Sequence, residues 1–262
     1  MQSVGRNSDL ENISGGSKMR LKDKVIIVTG GGRGIGRSAA ITLAENGAKV
    51  AVVAKTETEV NATAEEILQK GQDAIPIITD VSDEIQVKEM VKKVNEKFGT
   101  VDVLVNNAGI AIVNSLADSK TEDWDLTMAV NLKGTFLCTR EVIGPMMERR
   151  SGKIINISSR AGREPFADFT AYCTSKYGII GFTESLAVEM SKYNVFVNVI
   201  CPDRVITKMS TGTIPDGDYS DWLKPEDMAE LFVFLSSDES KSVNGATINA
   251  YGFAGFLKSG LE

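Results

Sequence analysis

Histidine is absent from all 262 residues, which excludes the Ser-His and Cys-His nucleophilic mechanisms and the usual histidine-bearing zinc sites. Cysteine is scarce. Cys138, Cys173 and Cys201 are three and cannot pair completely. Each falls in a predicted helix or strand among apolar neighbours, so they read as reduced, mostly buried thiols of a cytoplasmic protein, with no disulfide framework and no metal. No apolar run approaches the roughly 18 residues a membrane helix requires. Basic charge is also short, with 29 Lys and Arg against 35 Asp and Glu and a net charge of −6. That balance argues against a nucleic-acid surface, which depends on clustered cations. Asp9 and Glu11 speak against a transit peptide, and the polar stretch 1–20, containing Gly16 and Ser17, reads as a flexible extension. A single domain over 21–262 is long enough to bury a core without disulfides or metals.

What is present is alternation. Val25-Ile26-Ile27-Val28 is a continuous apolar run suited to a strand covered on both faces. Further strands are predicted at 49–53, 74–78, 101–105, 153–157, 195–200 and 245–249. Helical spacing follows each of the early ones, as at 57–69 and at Val87, Met90, Val91, Val94 and Phe98. Ser82 is the expected N-cap of the latter helix, with Asp83 and Glu84 in its first turn. Ser119 and Glu122 suggest a capping box for a long helix carrying Asn131 and Cys138, and Pro225 suits a first helical position. Such alternation implies an α/β fold: a parallel sheet with helices on both faces and ligands beyond the carboxyl ends of its strands.

Two motifs fall at those ends. The first strand runs into Thr29-Gly30-Gly31-Gly32-Arg33-Gly34-Ile35-Gly36, and glycines at a strand-to-helix turn let the backbone approach a pyrophosphate that a helix N-terminus also attracts. Tyr172 and Lys176 lie four residues apart, on one face of a helix. A phenol with an ordinary pKa of about 10 donates protons poorly near neutrality, and lowering that value by three units takes roughly 4 kcal/mol. A close Lys and a second cation are a means to supply it.

The spacing Gly30, Gly34, Gly36, taken with Tyr172 and Lys176, resembles the short-chain dehydrogenase/reductase family. Asn106-Asn107-Ala108-Gly109, Asn131 and Ser159 follow that family's order, and the resemblance covers nearly the whole chain from Leu21. It implies a single Rossmann-type, doubly wound sheet. It also implies that Tyr172 is the general acid toward a carbonyl oxygen and that Lys176 lowers the Tyr172 pKa and holds the nicotinamide ribose. Ser159, thirteen positions before Tyr172, would bond the substrate oxygen, with Ser158 a structural neighbour. Asn131 would kink its helix and hold a water linking Lys176 to solvent. Asp80 and Val81 resemble the adenine-contacting pair, and Asn107, Ala108 and Gly109 the wall beside the adenine and ribose. Thr207 and Met209, with Val205 and Pro202, would line the nicotinamide side.

Cofactor choice is read at the end of the second strand, where an NAD site usually has an acidic residue. Here Ala54 leaves room for a 2′-phosphate, and Lys55 and Arg33 supply charge, each pairing being worth up to about 4 kcal/mol gross at an effective dielectric near 20. NADP is therefore the expected cofactor. Two departures stand out. Asp203 follows Pro202 where relatives have glycine, placing a carboxylate that favours the oxidised ring beside the nicotinamide; Arg204 is its candidate partner. Asn249-Ala250-Tyr251-Gly252 replaces an Asp-Gly-Gly and points to an altered subunit contact.

The segment 210–222 is short, with Gly212, Pro215 and Gly217, and suits a mobile, shallow lid. Such a lid fits a bulky or carrier-bound ketone and equally a promiscuous carbonyl reductase. Arg160, Arg163 and Phe166 border the cleft, either as contacts for an acidic or aromatic substrate or as loop surface. The leading reading is an NADPH-dependent carbonyl reductase resembling 3-oxoacyl carrier-protein reductases. An oxidative alcohol, sugar or steroid dehydrogenase, and a weakened NADP-binding scaffold or sensor, are the alternatives. A homotetramer is implied through the helices of Tyr172 and Asn131 and the apolar run 251–257.

Overall fold

Val25–Thr29 is β1, and every residue of it is buried, because it lies in mid-sheet with a parallel strand on each side. A computed structural model describes residues 19–215 and 217–252. Around β1 stand β2 (Lys49–Ala54), β3 (Ala74–Ile78), β4 (Val103–Asn106), β5 (Gly152–Ile157), β6 (Val195–Pro202) and β7 (Thr247–Ala250). The sheet is wholly parallel in the order β3-β2-β1-β4-β5-β6-β7. The chain therefore winds outward from β1 in one direction and then returns to wind in the other, leaving a crevice between the ends of β1 and β4 where ligands of such sheets bind.

Successive strand residues point to opposite faces, and two cores result. Ile26 and Val28 pack with α1 (Gly34–Glu45), α2 (Glu57–Gln69) and α8 (Ala229–Ser236). Val25 and Ile27 pack on the other side with α3 (Glu84–Phe98), α5 (Gly134–Arg149) and α6 (Thr170–Met190). Two shorter helices, α4 (Thr121–Met128) and α7 (Lys208–Thr213), lie in the connections at the carboxyl end of the sheet. Among the described residues no helix is long and apolar enough to cross a membrane.

Several local expectations are corrected. Asp83, not Ser82, caps α3, accepting from the N–H groups of Ile85 and Gln86; Ser82 instead donates to Asp80. Ser119 and Glu122 make no capping box, since α4 starts after Lys120 without a side-chain cap and Ser119 bonds back to the Ser115 carbonyl. The helix expected to carry both Asn131 and Cys138 is interrupted by a wider π turn over Ala129–Lys133. The strand expected from Val101 begins at Val103. Of the N-terminal extension, Met19 and Arg20 lie within the described residues, and Arg20 belongs to the fold, paired with Glu230 and Glu239. Most of the proposed subunit-contact run 251–257 lies outside the described residues, as does most of the stretch 1–20.

Candidate active site

The crevice is laced shut at its base by one threonine. Thr29, the last residue of β1, donates through Oγ1 to the Val105 carbonyl and accepts from the backbone N–H groups of Asn107 and Ala108. The Asn107 side chain in turn donates to the carbonyls of Thr29 and Gly30. Asn107 is thus a strut of the glycine loop, a role beyond the wall expected of it. Gly30 has φ +65°, which only glycine takes freely. A Cβ on Gly36 would lie 2.2 Å from the Gly30 carbonyl oxygen, so loop and helix start are pressed together. Arg33 precedes α1 without capping it through its side chain, and no acidic residue sits in the first turn. The N–H groups of Gly34, Ile35 and Gly36 are therefore available to an anion, which fits a dinucleotide pyrophosphate. Gly34 abuts Thr207, which caps α7 through a reciprocal bond with Ser210.

The two cations assigned to a 2′-phosphate are both engaged. Arg33 pairs with Glu59 at 3.1 Å, and Lys55 with Asp80 at 2.7 Å. Gly32 explains the first pair, since a Cβ there would meet Glu59 at 2.8 Å and its absence lets α2 start against the loop. Ala54 ends β2 half-buried beside them. Val81 is buried and packs against Gly134 of α5, while Asp80 is held below the ordinary carboxylate range: burial opposes this, but bonds from Lys55 and Ser82 outweigh it.

Farther along the sheet end, Asn131 is fully buried in the π turn. Its Oδ1 accepts from the Ile110 N–H, and its Nδ2 donates to the Ile110 carbonyl and to Ser175 Oγ. Ser175, which the sequence reading missed, passes the link on to the Tyr172 carbonyl; its place between Tyr172 and Lys176 was the available signal. Gly109 joins the group, since a Cβ there would lie 3.3 Å from Asn131 Oδ1 and 3.6 Å from Lys176 Nζ. Lys176 is buried and its Nζ donates to the Ile157 carbonyl, while Ser158 donates to the Lys176 carbonyl. Ser159 accepts from the Ala161 N–H and lies near enough to the Tyr172 phenol to favour its ionised form. Asn131, Ser159, Tyr172 and Lys176 therefore converge.

Their electrostatics differ from the expectation. Burial pushes the Tyr172 phenol up, with the Ser159 bond pulling down against it. Lys176 is not among the groups that shift it; its Nζ lies over the Tyr172 ring, 5.5 Å from the centroid. Its own pKa is brought down from 10.5 to about 8 by burial. Below pH 8 this lysine is charged in folded and unfolded chains alike, so its cost to stability is constant. Above pH 8 the folded protein sheds the proton first, and the Lys176 contribution to stability rises with pH. Burial of Cys138, pushed up to about 12, acts in the opposite sense at alkaline pH. A difference measurement separates the two. The unfolding free energy of the wild type minus that of Lys176→Met, measured in urea without added cofactor, should rise by about 1 kcal/mol between pH 8 and 9. A flat difference would refute the depressed value.

Asp203 does not meet Arg204. Its carboxylate, nearly buried, pairs at 3.1 Å with Arg160, whose Nε also bonds Glu164 at 2.7 Å and whose guanidinium lies over the Tyr251 ring. Arg204 is exposed and faces Trp222 instead. The residue takes no left-handed conformation, and its N–H bonds the Ala250 carbonyl, so the sheet edge accommodates a side chain where glycine was expected. Pro202 and Val205 on either side are buried and Met209 is half-buried. Among the described residues of 210–222, α7 covers the start, Trp222 is buried against Tyr219, and Tyr219 donates to the carbonyls of Ile214 and Pro215.

A sequence model of the family described as short chain dehydrogenase matches residues 24–217. The chain is 39% identical over 241 residues to the 3-oxoacyl-[acyl-carrier-protein] reductase FabG of Staphylococcus epidermidis, covering 88% of this chain and 98% of that one. It is 35% identical over 243 residues to the (2S)-[(R)-hydroxy(phenyl)methyl]succinyl-CoA dehydrogenase subunit BbsD of Thauera aromatica, covering 89% and 97%. A solved actinorhodin polyketide ketoreductase with NADPH superimposes with a TM-score of 0.83 at 30% identity, over 87% of this chain and 96% of that one.

Proposed function

The chain belongs to the short-chain dehydrogenase/reductase family of oxidoreductases, and from that membership we propose that it reduces a ketone or aldehyde carbonyl to an alcohol with NADPH. The observation that carries this reading is the convergence of Ser159, Tyr172, Lys176 and Asn131 at the sheet end beside an uncapped glycine-loop helix. Thr29 through Gly36 would hold the pyrophosphate; Arg33, Ala54, Lys55, Asp80 and Val81 the adenosine end; Asn107 to Gly109 its inner wall; and Pro202, Asp203, Val205, Thr207 and Met209 the nicotinamide side. Bound there, a reduced nicotinamide would supply the hydride for the carbonyl carbon. Ser159 and Tyr172 donate hydrogen bonds to the carbonyl oxygen, and the Tyr172 proton passes to it as the C–O double bond opens. Lys176, with a proton already loosened by burial, restores the phenol. Asn131, Ser175 and the Ile110 backbone fix the helix that carries both groups.

The reverse reaction uses the same residues, and the Thauera relative is named a dehydrogenase. Exposed Phe136 on α5 and Val188 on α6 support assembly as a homotetramer through those helices. A cytoplasmic location follows the same reading.

NADPH should bind about tenfold more tightly than NADH by fluorescence titration. That is a smaller margin than two bare cations would give, because Glu59 and Asp80 must first release Arg33 and Lys55. Lys55→Glu should erase the margin. Tighter binding of NADH by the wild type would sink the NADP assignment, and failure of every ketone in a panel with either reduced cofactor would sink the reductase.

A further inference from the structure

The wall beside Tyr172 is aromatic, and nothing in the reading above uses it. Between the turn at Arg160–Gly162 and α6 the chain runs Pro165-Phe166-Ala167-Asp168-Phe169. The rings of Phe166, Phe169 and Tyr172 follow one another edge to face, with centroids 6.3 Å and then 6.0 Å apart and interplanar angles of 61° and 69°. The ladder starts at a ring that is 41% exposed and ends at the proton donor.

Its backbone is held in a costly shape. Asp168, between the two phenylalanines, has φ +65°, a conformation that a residue with a Cβ keeps only when its surroundings impose it. The imposing contact is visible: the Asp168 carbonyl accepts from the Asn114 N–H at 3.0 Å, which ties this loop to the one that follows β4. Residues held in this backbone region cluster at active sites and ligand clamps. Here the conformation sets two rings in line with a third. Of the two arginines on this loop, Arg160 is already shared between Glu164 and Asp203, so an anionic group on a substrate finds that charge answered.

We propose that Phe166 and Phe169 form an aryl subsite, and that the carbonyl substrate bears an aromatic ring close to its reacting carbon. The inference rests on the carbonyl-reductase reading and names its substrate class. With the oxygen held by Tyr172 and Ser159, a ring attached near the carbonyl lies along the ladder and continues its edge-to-face order, the arrangement that the quadrupoles of aromatic rings favour over random apolar contact. A saturated ring of the same size fills the space without that complementarity.

The test compares phenyl ketones with their cyclohexyl counterparts under NADPH. Wild-type kcat/KM should favour the phenyl ketone by tenfold or more. Phe166→Leu, at an exposed position where the fold tolerates it, should shrink the ratio to within threefold, mostly through KM, and Phe166→Tyr should restore it. A readout independent of turnover is calorimetric binding of the phenyl alcohol product to Tyr172→Phe loaded with NADP⁺, which the added Phe166→Leu change should weaken fivefold or more. Reduction of both ketones with equal efficiency overturns the aryl subsite and leaves the reductase standing. Reduction of neither, with any other ketone tried, overturns both.

Discussion

Tyr172→Phe should lower turnover at least a thousandfold while NADPH affinity changes by less than threefold. The substitution removes only the phenolic hydroxyl: the ring, its edge-to-face contact with Phe169 and the Lys176 ammonium over its face remain. General acid catalysis by a positioned group is worth about 10²–10⁴ in rate, and the upper part of that range applies because the chain has no histidine to substitute. Lys176→Ala should damage both properties, since this lysine is assigned to the phenol and to the cofactor. Steady-state kinetics and fluorescence titration of the two variants check this. More than a tenth of wild-type turnover in Tyr172→Phe would mean that the proton comes from another group.

Arg160→Met should lower the unfolding free energy by about 2–4 kcal/mol, because it strands the Asp203 carboxylate in a nearly buried place. The two side chains are 13% and 8% exposed, and removal of one partner from a buried ion pair costs more than the pair is worth as a whole, since the remaining charge is left desolvated. Asp203→Asn added to Arg160→Met should therefore recover most of the loss. Asp203→Asn alone should cost less than Arg160→Met, since Arg160 keeps Glu164. Denaturant unfolding of the three variants closes the cycle. Additive losses would show that the pair is not coupled.

The sequence was most informative where one chemistry restricts residue choice at a fixed place in a periodic fold. The glycine loop after β1, the Asn107 segment after β4, and Tyr172 four residues before Lys176 are such places, and the parallel order of the sheet follows from the alternation around them. It was least informative where partners are remote. Asp203 was matched with its neighbour Arg204, but the guanidinium that meets it belongs to Arg160, on the loop after β5, brought close by the pairing of β5 with β6. Asp83 competes with Ser82 for one helix end, and only backbone geometry decides between two good caps. Four-residue spacing places Lys176 by the Tyr172 ring, but it says nothing of burial, which pushes the phenol up. Phe166 was legible only as a residue bordering the cleft; its alignment with Phe169 depends on the Asp168 backbone, which no periodicity announces.

The pairing of Arg33 with Glu59 and of Lys55 with Asp80 bears on how the protein responds to ionic strength. A 2′-phosphate that enters this corner exchanges one set of ion pairs for another, and dissolved salt screens the outgoing set as well as the incoming one. Attraction to bare cations would fade steeply as salt rises; an exchange between neutralised partners fades much less. The margin between phosphorylated and unphosphorylated cofactor is then smaller than lone charges would give but steadier, persisting across the salt concentrations over which simple electrostatic capture declines.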